Sequence, residues 1–382
     1  MTEFSIKDLN QILERDATDT TYKFALLRAV SDVCQRHDPL KDEEGWAWFP
    51  TGYLIEKWLQ YYYPIIDSEV FVPQKGSEKD LDKPGYKIAF RSEFSQLTDY
   101  YKKKGGLNAF WFDYKKGRVS SEINAVCLDL LKNLYYTITR YPMKHLGYSS
   151  TGEHYAFFKY SDRNTISKKK RVSQSLVLEE FGEFGINSEF YRTLRLFGSY
   201  ISGEYSILNK WVDFTVHADS SAKVEPAYVF ELLNEKPEPE RDVLDARNYY
   251  QELFMKQDGL KCVWSDTKIR SWQDVHIDHM IPYSIWGNND LWNLLPSHQK
   301  VNSQKKDLIP SIRLLENREK SIISYWKLLE ENFRYRFNKE AEYNLLDSRR
   351  DSASMDVLFE KLLSKCEYLI DVRGFSEWNL RG

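Results

Sequence analysis

The stretch that decides the fold is HIDHMIPYSIWGNNDLWNLLPSHQKVNSQK, residues 276–305. It contains three of the seven histidines of the chain, together with four asparagines and two aspartates. Such side chains bind metal ions and transfer protons, and here they lie between two hydrophobic regions with helical patterns. The chemistry of the chain is therefore expected in this stretch.

Two side chains of the stretch suit a hard divalent cation. Asp278 supplies an anionic oxygen, and Asn302 supplies a neutral amide oxygen. Two oxygen ligands, with the other positions left to water and phosphate, fit Mg²⁺ or Mn²⁺ better than zinc. His279 follows Asp278 directly, and a neutral imidazole is a natural general base for water. A metal ion beside such a base is the arrangement of a phosphodiester-hydrolysis site.

Three motifs carry a resemblance to a known family. The chain reads D-H-x-x-P at 278–282, N-L-x-P at 293–296 and N-x-x-K at 302–305. This pattern resembles the HNH family of ββα-metal nucleases, in particular the Cas9-type HNH module. The segment LKCVWSDTKI, residues 260–269, resembles the ribbon that opens that fold. The resemblance covers residues 247–310, a minor part of the chain.

The resemblance implies a role for each matching residue. Asp278 and Asn302 would hold one metal ion, and His279 would be the general base. Asn293 would orient the loop between the ribbon and the following helix. Lys305 would lie on the first turn of that helix, near the scissile or a flanking phosphate.

Two further histidines are candidates for substrate binding. His276 lies two residues before Asp278 and so shares its strand face, where it could support the metal site or contact phosphate. His298 is the second candidate, with a plain surface position as the alternative.

The chain departs from the family pattern in two respects. Many HNH proteins bind a structural zinc through two CxxC pairs, whereas this chain has Cys262 alone, with Ser265 where a second cysteine would stand. Packing by the flanking helices must then hold the ribbon. In addition, the sequence shows neither a carboxylate-rich RuvC-like companion domain nor a bridge-helix arginine cluster. Guide-RNA cutting in the Cas9 manner is therefore not expected.

The net charge of −3 supplies no overall attraction to a polyanion, so DNA binding would need local basic patches. Two clusters interleave basic with aromatic or polar residues, a composition that suits phosphate contact and base stacking. The alternative for each cluster is an ordinary solvated face. The first cluster comprises Lys102, Lys103, Lys104, Lys115, Lys116 and Arg118 around an aromatic, hairpin-like segment, and the second comprises Arg163, Lys168, Lys169, Lys170 and Arg171.

The cysteine spacing and the hydropathy of the sequence indicate the cellular compartment. The four cysteines are far apart and form no CxxC pair, which indicates free thiols rather than disulfides or a complete zinc site. The sequence has no apolar run long enough to cross a bilayer and no basic-then-apolar leader. We therefore expect a cytoplasmic protein with no membrane partner and no small-molecule cofactor.

The pattern predicts an α+β fold that is predominantly α. An α-rich domain for DNA or partner binding is expected at 1–236, the HNH nuclease domain at 243–312, and C-terminal helices packing on the nuclease domain at 313–382. The charged, proline-containing EKPEPERD at 235–242 marks the boundary.

Apolar spacings of three and four residues predict several helices. The local expectations are a helix at 20–34 capped by Asp19 or Thr20, a helix at 123–138 after Ser120, one or two helices at 188–214 interrupted near Gly198 and Gly203, a helix at 243–259, a two-stranded ribbon of 260–269 with 272–281, a long helix opened by Pro310, and a last helix at 355–370. The aromatic stripe of 46–63 is expected in the core.

Together these features predict a metal-dependent DNA endonuclease. One copy of each motif gives one site per chain, so nicking is expected. The layout resembles HNH effectors of bacterial anti-phage systems such as Zorya, with other defence proteins as partners. Two alternatives stay open: a restriction-type endonuclease with a sequence-reading N-terminal domain, and a non-catalytic HNH scaffold that binds nucleic acid or a protein.

Overall fold

The computed structural model describes residues 19–80, 85–146, 158–202, 207–237, 243–346 and 354–380. The chain divides into two compact units, Met1–Glu238 and Pro239–Gly382. Helices predominate and the sheets are small, so the fold is α+β and mainly α, as predicted. The predicted nuclease segment and the predicted C-terminal helices both lie in the second unit. Within the described residues, no helix has the length and apolar character needed to cross a membrane.

The first unit is built mainly from helices. One of them, Ser121–Arg140, begins where its pattern predicts, with the Ser120 hydroxyl accepting from the Glu122 amide as an N-cap. The helices are α1 (Tyr22–Arg36), α2 (Thr51–Asp67), α3 (Arg91–Lys102), α4 (Gly106–Lys116), α5 (Ser121–Arg140), α6 (Pro142–His145), α7 (Gln174–Glu180), α8 (Ser188–Ser202), α9 (Ile207–Ala218) and α10 (Pro226–Asn234).

Helix α1 is buried on nearly all sides instead of along one stripe. The buried Arg28 donates to the Leu233 carbonyl at 2.8 Å and stacks on the Tyr61 ring. The predicted cap is also wrong, because the N-cap is Thr21 and its side chain makes no capping bond. A central helix that is surrounded by others must bury polar side chains together with its apolar ones, and buried polar groups need partners.

Gly198 does not interrupt helix α8, contrary to the prediction; Gly203 lies outside the described residues. A Cβ at Gly198 would lie 2.6 Å from the Ser31 hydroxyl oxygen. That hydroxyl donates to the Gly198 carbonyl at 3.0 Å. The glycine therefore allows α8 to approach α1 closely, which is a packing role within a continuous helix.

A small antiparallel sheet in the first unit was not predicted. Among the described residues its strand order is β1-β2-β4-β3, with β1 at Lys41–Glu43, β2 at Trp46–Pro50, β3 at Phe158–Tyr160 and β4 at Glu183–Asn187. Trp46 and Trp48 are half-buried on β2. The rest of the aromatic stripe, Tyr53, Trp58 and 61–63, is buried, so its predicted place in the core is confirmed.

The segment predicted as hairpin-like, residues 99–118, is helical. Helices α3 and α4 meet at Gly105 and Gly106, whose φ angles of 107° and 61° suit glycine. The helical repeat buries Phe110, Trp111 and Tyr114. Helix α4 therefore separates Lys102–Lys104 at its start from Lys115 and Lys116 at its end.

The second unit contains several two-residue strands and one five-residue pair. The predicted ribbon is wrong in its pairing: residues 260–269 fold back on themselves, and Val275–His279 pairs instead with Leu294–His298. The strands are β5 (Leu260–Lys261), β6 (Lys268–Ile269), β7 (Val275–His279), β8 (Leu294–His298), β9 (Ile309–Pro310) and β10 (Glu377–Trp378).

The helices of this unit surround the strands. Pro310 does not open the long helix as predicted; it pairs in β9 with Trp378, and the helix begins after the Ser311 cap. The helices are α11 (Leu244–Gln257), α12 (Tyr283–Trp286), α13 (Gln299–Lys305), α14 (Ile312–Ala341) and α15 (Met355–Glu367), with short 3₁₀ turns at 272–274 and 291–293 and π turns at 342–346 and 368–372.

Helix α14 contributes to holding the strands. Trp326 donates its indole N–H to the Trp292 carbonyl at 2.7 Å, and both rings are fully buried. The Tyr325 hydroxyl donates to the Lys261 carbonyl at 2.6 Å and accepts from the Lys261 amide. Cys262, the next residue, is a buried free thiol. The other three cysteines of the chain are also buried free thiols. Packing and hydrogen bonds from α14 therefore hold this ribbon in place.

Candidate functional site

Strands β7 and β8 place the predicted site residues. They run antiparallel, with His276 opposite Ser297 and Asp278 opposite Leu295. Because side chains alternate along a strand, His276 and Asp278 project to one face and His279 to the other. Helix α13 starts directly after β8, so the chain returns to this ribbon within a few residues.

Helix α13 packs on the β7 face that carries His276 and Asp278. Asn302 Nδ2 lies 3.3 Å from His276 Nδ1, and Lys305 Nζ lies 3.2 Å from Asp278 Oδ1. Positions three apart are neighbours on a helix surface, as positions two apart are on a strand face. The structure thus brings together four of the predicted residues: His276, Asp278, Asn302 and Lys305.

The Asp278 carboxylate is buried, with only 5% of the residue exposed. Trp264 donates its indole N–H to Oδ2 at 2.6 Å, and the Lys305 ammonium contacts Oδ1. A buried carboxylate needs an opposite charge and hydrogen-bond donors to offset its desolvation. Lys305 and Trp264 supply these and fix the orientation of the carboxylate.

Lys305 differs from its predicted position. It is the last residue of the seven-residue α13 and not part of its first turn, and it is completely buried. Its ammonium also donates to the His279 carbonyl at 2.7 Å. Lys305 therefore ties the helix to the end of β7, while its contact with a phosphate stays a prediction.

The contact between His276 and Asn302 orients the Asn302 amide. The amide nitrogen can only donate, so in this geometry His276 Nδ1 accepts. With the nitrogen turned to His276, the amide oxygen points away from that ring. This is the atom that the predicted metal site requires.

His279 lies at the end of β7 with 7% of the residue exposed. Its Nε2 is 3.0 Å from Asn289 Oδ1, and its ring packs against Tyr283 with centroids 5.2 Å apart. Because the amide oxygen accepts, Nε2 carries the proton and the lone pair of the neutral ring lies on Nδ1. The ring is thus oriented by residues from the following segment.

Asn293 holds the chain just after His279. It is fully buried, and its side chain donates to the Ile281 carbonyl at 3.0 Å and accepts from the Ile281 amide at 2.8 Å. Its own carbonyl accepts from the Met280 amide at 2.9 Å. These bonds fasten residues 280–281 to the start of β8.

His298 caps helix α13. Its Nδ1 accepts from the Lys300 amide at 3.1 Å, which satisfies one of the otherwise unpaired amides at the helix start. The residue is half-buried. Its predicted contact with substrate stays a prediction.

The sequence reasoning missed three contributors to this site. Trp264 bonds Asp278, Asn289 bonds His279, and the Tyr283 ring packs on His279. The motif spacing contains no signal for them. Asn289 is one of two adjacent asparagines in GNND, and only the fold shows which of them faces the histidine.

The predicted metal-ligand set consists of one carboxylate and one amide. Among the residues that the structure describes, no group of three or more His, Cys, Asp or Glu side chains is placed to hold a metal ion. The predicted Asp278–Asn302 pair is of a different kind, because it would use few protein oxygens and leave positions to water and substrate, as Mg²⁺ sites commonly do.

The second basic cluster lies in the first unit, between β3 and α7. Lys168, Lys169 and Arg171 are exposed, whereas Lys170 pairs with Glu180. The hydrogen bond from Lys170 lowers the pKa of the Glu180 carboxyl. The Asn124 side chain accepts from the Val172 amide at 2.8 Å and donates to the Lys170 carbonyl at 3.0 Å. The charged segment is therefore fixed to the start of α5.

Comparison with known families agrees with this division of the chain. Residues 262–311, which include β7, β8 and α13, match the model of HNH endonuclease, so the second unit contains an HNH-type nuclease segment. Residues 3–233, more than half of the chain, match the family described as domain of unknown function (DUF8808), and the chain belongs to that family. No curated protein and no solved structure matches the chain.

Proposed function

We propose that this chain is a divalent-metal-dependent endonuclease that hydrolyses DNA phosphodiester bonds, with the residue roles of the Cas9-type HNH module. The observation that carries the proposal is the packing of α13 on β7. It places Asn302 and Lys305 against His276 and Asp278, and His279 is the next residue along the strand. The match of residues 262–311 to HNH endonuclease supports the nuclease class.

The residues present fit a single Mg²⁺ or Mn²⁺ ion. Asp278 would bind through a carboxylate oxygen and Asn302 through the amide oxygen that His276 turns away from itself. Both are hard oxygen ligands. When bound, the ion would neutralise charge on the phosphate and on the leaving oxygen.

His279 would take the proton from the attacking water. The Asn289 contact keeps the ring proton on Nε2, so the basic lone pair lies on Nδ1. Asn293 fixes the backbone immediately after the ring, and Tyr283 limits its rotation. A base that is held in one tautomer and one orientation needs little reorganisation before the reaction.

The basic segment 168–171 would bind the DNA backbone. Among the described residues, Lys168, Lys169 and Arg171 have no carboxylate partner. The end of α4 reaches the same surface, since a Cβ at Gly117 would lie 3.3 Å from Ser173 Cβ. Exposed Arg118 therefore lies near a segment about fifty positions further along the chain, and their charges combine to attract phosphate.

Neutralising Lys168, Lys169 and Arg171 to glutamine is expected to weaken binding to all DNA sequences. Lys170 is left intact because Glu180 already neutralises it. The slope of log K against log salt should become shallower by roughly 0.9 for each DNA phosphate that the variant no longer neutralises. Fluorescence anisotropy on two unrelated duplexes across a salt series measures this slope.

The matched control replaces Lys102, Lys103 and Lys104, three exposed cations at the other end of α4. Both triple variants remove the same charge. A slope that changes equally in both would not single out residues 168–171, because Lys102, Lys103 and Lys104 belong to the other basic cluster. An unchanged slope in the first variant would show that residues 168–171 are an ordinary solvated face that does not contact DNA.

The proposed substrate is tested by offering plasmid DNA, single-stranded DNA and RNA of the same sequence, each with Mg²⁺. We expect cleavage of DNA. Faster cleavage of the RNA would contradict the DNA assignment and would leave the nuclease class intact. Mapping the ends on a long DNA separates scattered cutting from the restriction-type alternative.

Supercoiled plasmid is expected to give open circles first, with linear DNA appearing later. Each chain has one Asp278–His279 pair, so each engagement cuts one strand. A time course with protein below the plasmid concentration measures the order of products. Linear DNA that rises from the start, with no lag behind open circles, would indicate a cutting dimer.

An anti-phage role is the biological part of the proposal. Its support is the layout of an α-rich N-terminal unit followed by an HNH segment, which resembles defence effectors. Expression of the parent and of His279→Ala in a phage-challenged bacterial host tests it. Equal plaque numbers with both proteins would contradict the role.

A further inference from the structure

The loop at 287–293 connects α12 to β8 and carries Asn289, the hydrogen-bond partner of His279. Helix α14 holds this loop from outside the nuclease segment. Glu340 Oε2 accepts from the Leu291 amide at 2.6 Å, and Arg336 Nη2 donates to the Asn289 carbonyl at 3.4 Å. Two side chains of one helix face thus bind the backbone on both sides of Asp290.

Arg336 and Glu340 also bind each other. Arg336 Nε is 2.5 Å from Glu340 Oε1, and its Nη1 is 2.6 Å from Asp245 Oδ2 of α11. Burial works to lower the pKa of Arg336, but the carboxylates of Glu340, Asp245 and Asp290 outweigh burial and raise it. The guanidinium therefore stays charged while it connects α11, α14 and the loop.

Arg336 and Glu340 lie after a break in helix α14. Phe333 has φ −125° and ψ 40°, which is not helical, and its ring packs edge-to-face on Tyr249 at 5.7 Å. Arg336 follows within one turn. Neither residue belongs to the 262–311 segment that matches HNH endonuclease. The contact to the loop is therefore a feature that this chain adds to the nuclease segment.

The loop also has internal bonds around Asp290. Asn288 and Trp292 both donate to Asp290 Oδ2, at 2.8 and 3.0 Å. These bonds shape the loop around Asp290. The bonds from α14 fix the main chain at Asn289 and Leu291, and hence the position from which the Asn289 amide reaches His279.

We propose that Arg336 and Glu340 are positioning residues for His279: they fix Asn289, which in turn holds the proton of the imidazole on Nε2 and its lone pair on Nδ1. The catalytic part of this inference rests on the proposed role of His279 as the base. The structural part does not depend on cleavage and can be measured separately.

The test uses the full chain labelled with ¹⁵N-histidine at mildly alkaline pH, where imidazoles are ordinarily neutral. The His279 ring signals are assigned by their absence in His279→Ala. In the parent they should show the Nε2–H tautomer. Arg336→Gln and Glu340→Gln should each move them toward a mixture of tautomers, because the Asn289 acceptor is no longer fixed.

Asp245→Asn is the matched control. It weakens the other ion pair of Arg336 and leaves both contacts to the loop in place. Its His279 signals should match those of the parent. A general loosening of the unit would instead shift the signals in all three variants.

Cleavage supplies the second readout. With plasmid and Mg²⁺, Arg336→Gln and Glu340→Gln should be slower by roughly tenfold in single turnover, as expected when a reacting group is displaced. The Mg²⁺ concentration for half-maximal rate should not change. In an Asn289→Ala background the same changes should have no further effect, because residues that act through one partner are not additive.

Unchanged His279 signals in both glutamine variants would overturn the inference, whatever happens to the rate. If Arg336→Gln does not fold, the His279 ring signals of Glu340→Gln alone test the inference. If the parent chain cuts nothing, the proposed function fails, and the ring signals still decide whether α14 positions His279.

Discussion

Replacing His279 with alanine is expected to reduce DNA cleavage by roughly 10²–10⁴-fold, the usual contribution of a positioned proton-transfer group. The metal ligands Asp278 and Asn302 stay in place in this variant, so metal binding should persist. The rate of open-circle formation from supercoiled plasmid measures the effect.

Because the His279 ring is largely buried against Tyr283 and Asn289, the alanine variant should also lose some thermal stability. Cleavage is therefore compared at a temperature at which the melting curves show both the parent and the variant fully folded. Equal cleavage by His279→Ala and the parent would end the assignment of His279 as the base.

The second large effect is expected at Asp278. Asp278→Ala should abolish cleavage with Mg²⁺ and with Mn²⁺, because the anionic ligand of the proposed site is lost. The same change leaves the buried Lys305 ammonium without its carboxylate, which typically costs about 3–5 kcal/mol of folding free energy. Loss of activity in this variant alone would therefore not distinguish loss of the metal ligand from loss of folding stability.

A double variant separates the two causes. Asp278→Asn with Lys305→Met removes both buried charges and keeps side chains of similar size. Neutral replacement of a buried ion pair is often tolerated, so the melting temperature should recover relative to Asp278→Asn alone. Cleavage should stay absent. Cleavage by the folded double variant would show that the site does not need an anionic ligand at position 278.

Zinc provides an independent check on the ligand set. The two predicted ligands are oxygens, and Cys262 is a buried free thiol that has no CxxC partner in the sequence. Purified protein that contains stoichiometric zinc and needs it for cleavage would contradict the oxygen-ligand argument.

Several helices of this chain could be predicted because their signals are local. Ser120 and the apolar spacing after it define α5, and the apolar positions Ile322, Trp326 and Leu329, at spacings of three and four, form the buried face of α14. Pairing of strands is not a local property. The β7 strand was recognisable from its residues, but its partner β8 looked like a loop because Pro296 and the NLLP motif masked a five-residue strand.

Side-chain contacts of the site were even less predictable. The motif gave Asp278, His279 and Asn302, yet nothing in it showed that Lys305 would be buried against Asp278. Asn289 and Arg336 lie almost fifty positions apart and meet only through the packing of α14. Likewise, Asn124 fixes residues 170–172 through a tertiary contact that no charge pattern shows.

The most direct measurement of the central claim is cleavage of supercoiled plasmid by the purified full chain across a Mg²⁺ series, with an EDTA arm and with His279→Ala beside the parent. The account predicts open circles from the parent only when Mg²⁺ or Mn²⁺ is present, and a rate roughly 10²–10⁴-fold lower from the variant at every concentration of the ion. Cleavage that persists in EDTA, or that His279→Ala performs as fast as the parent, would contradict it.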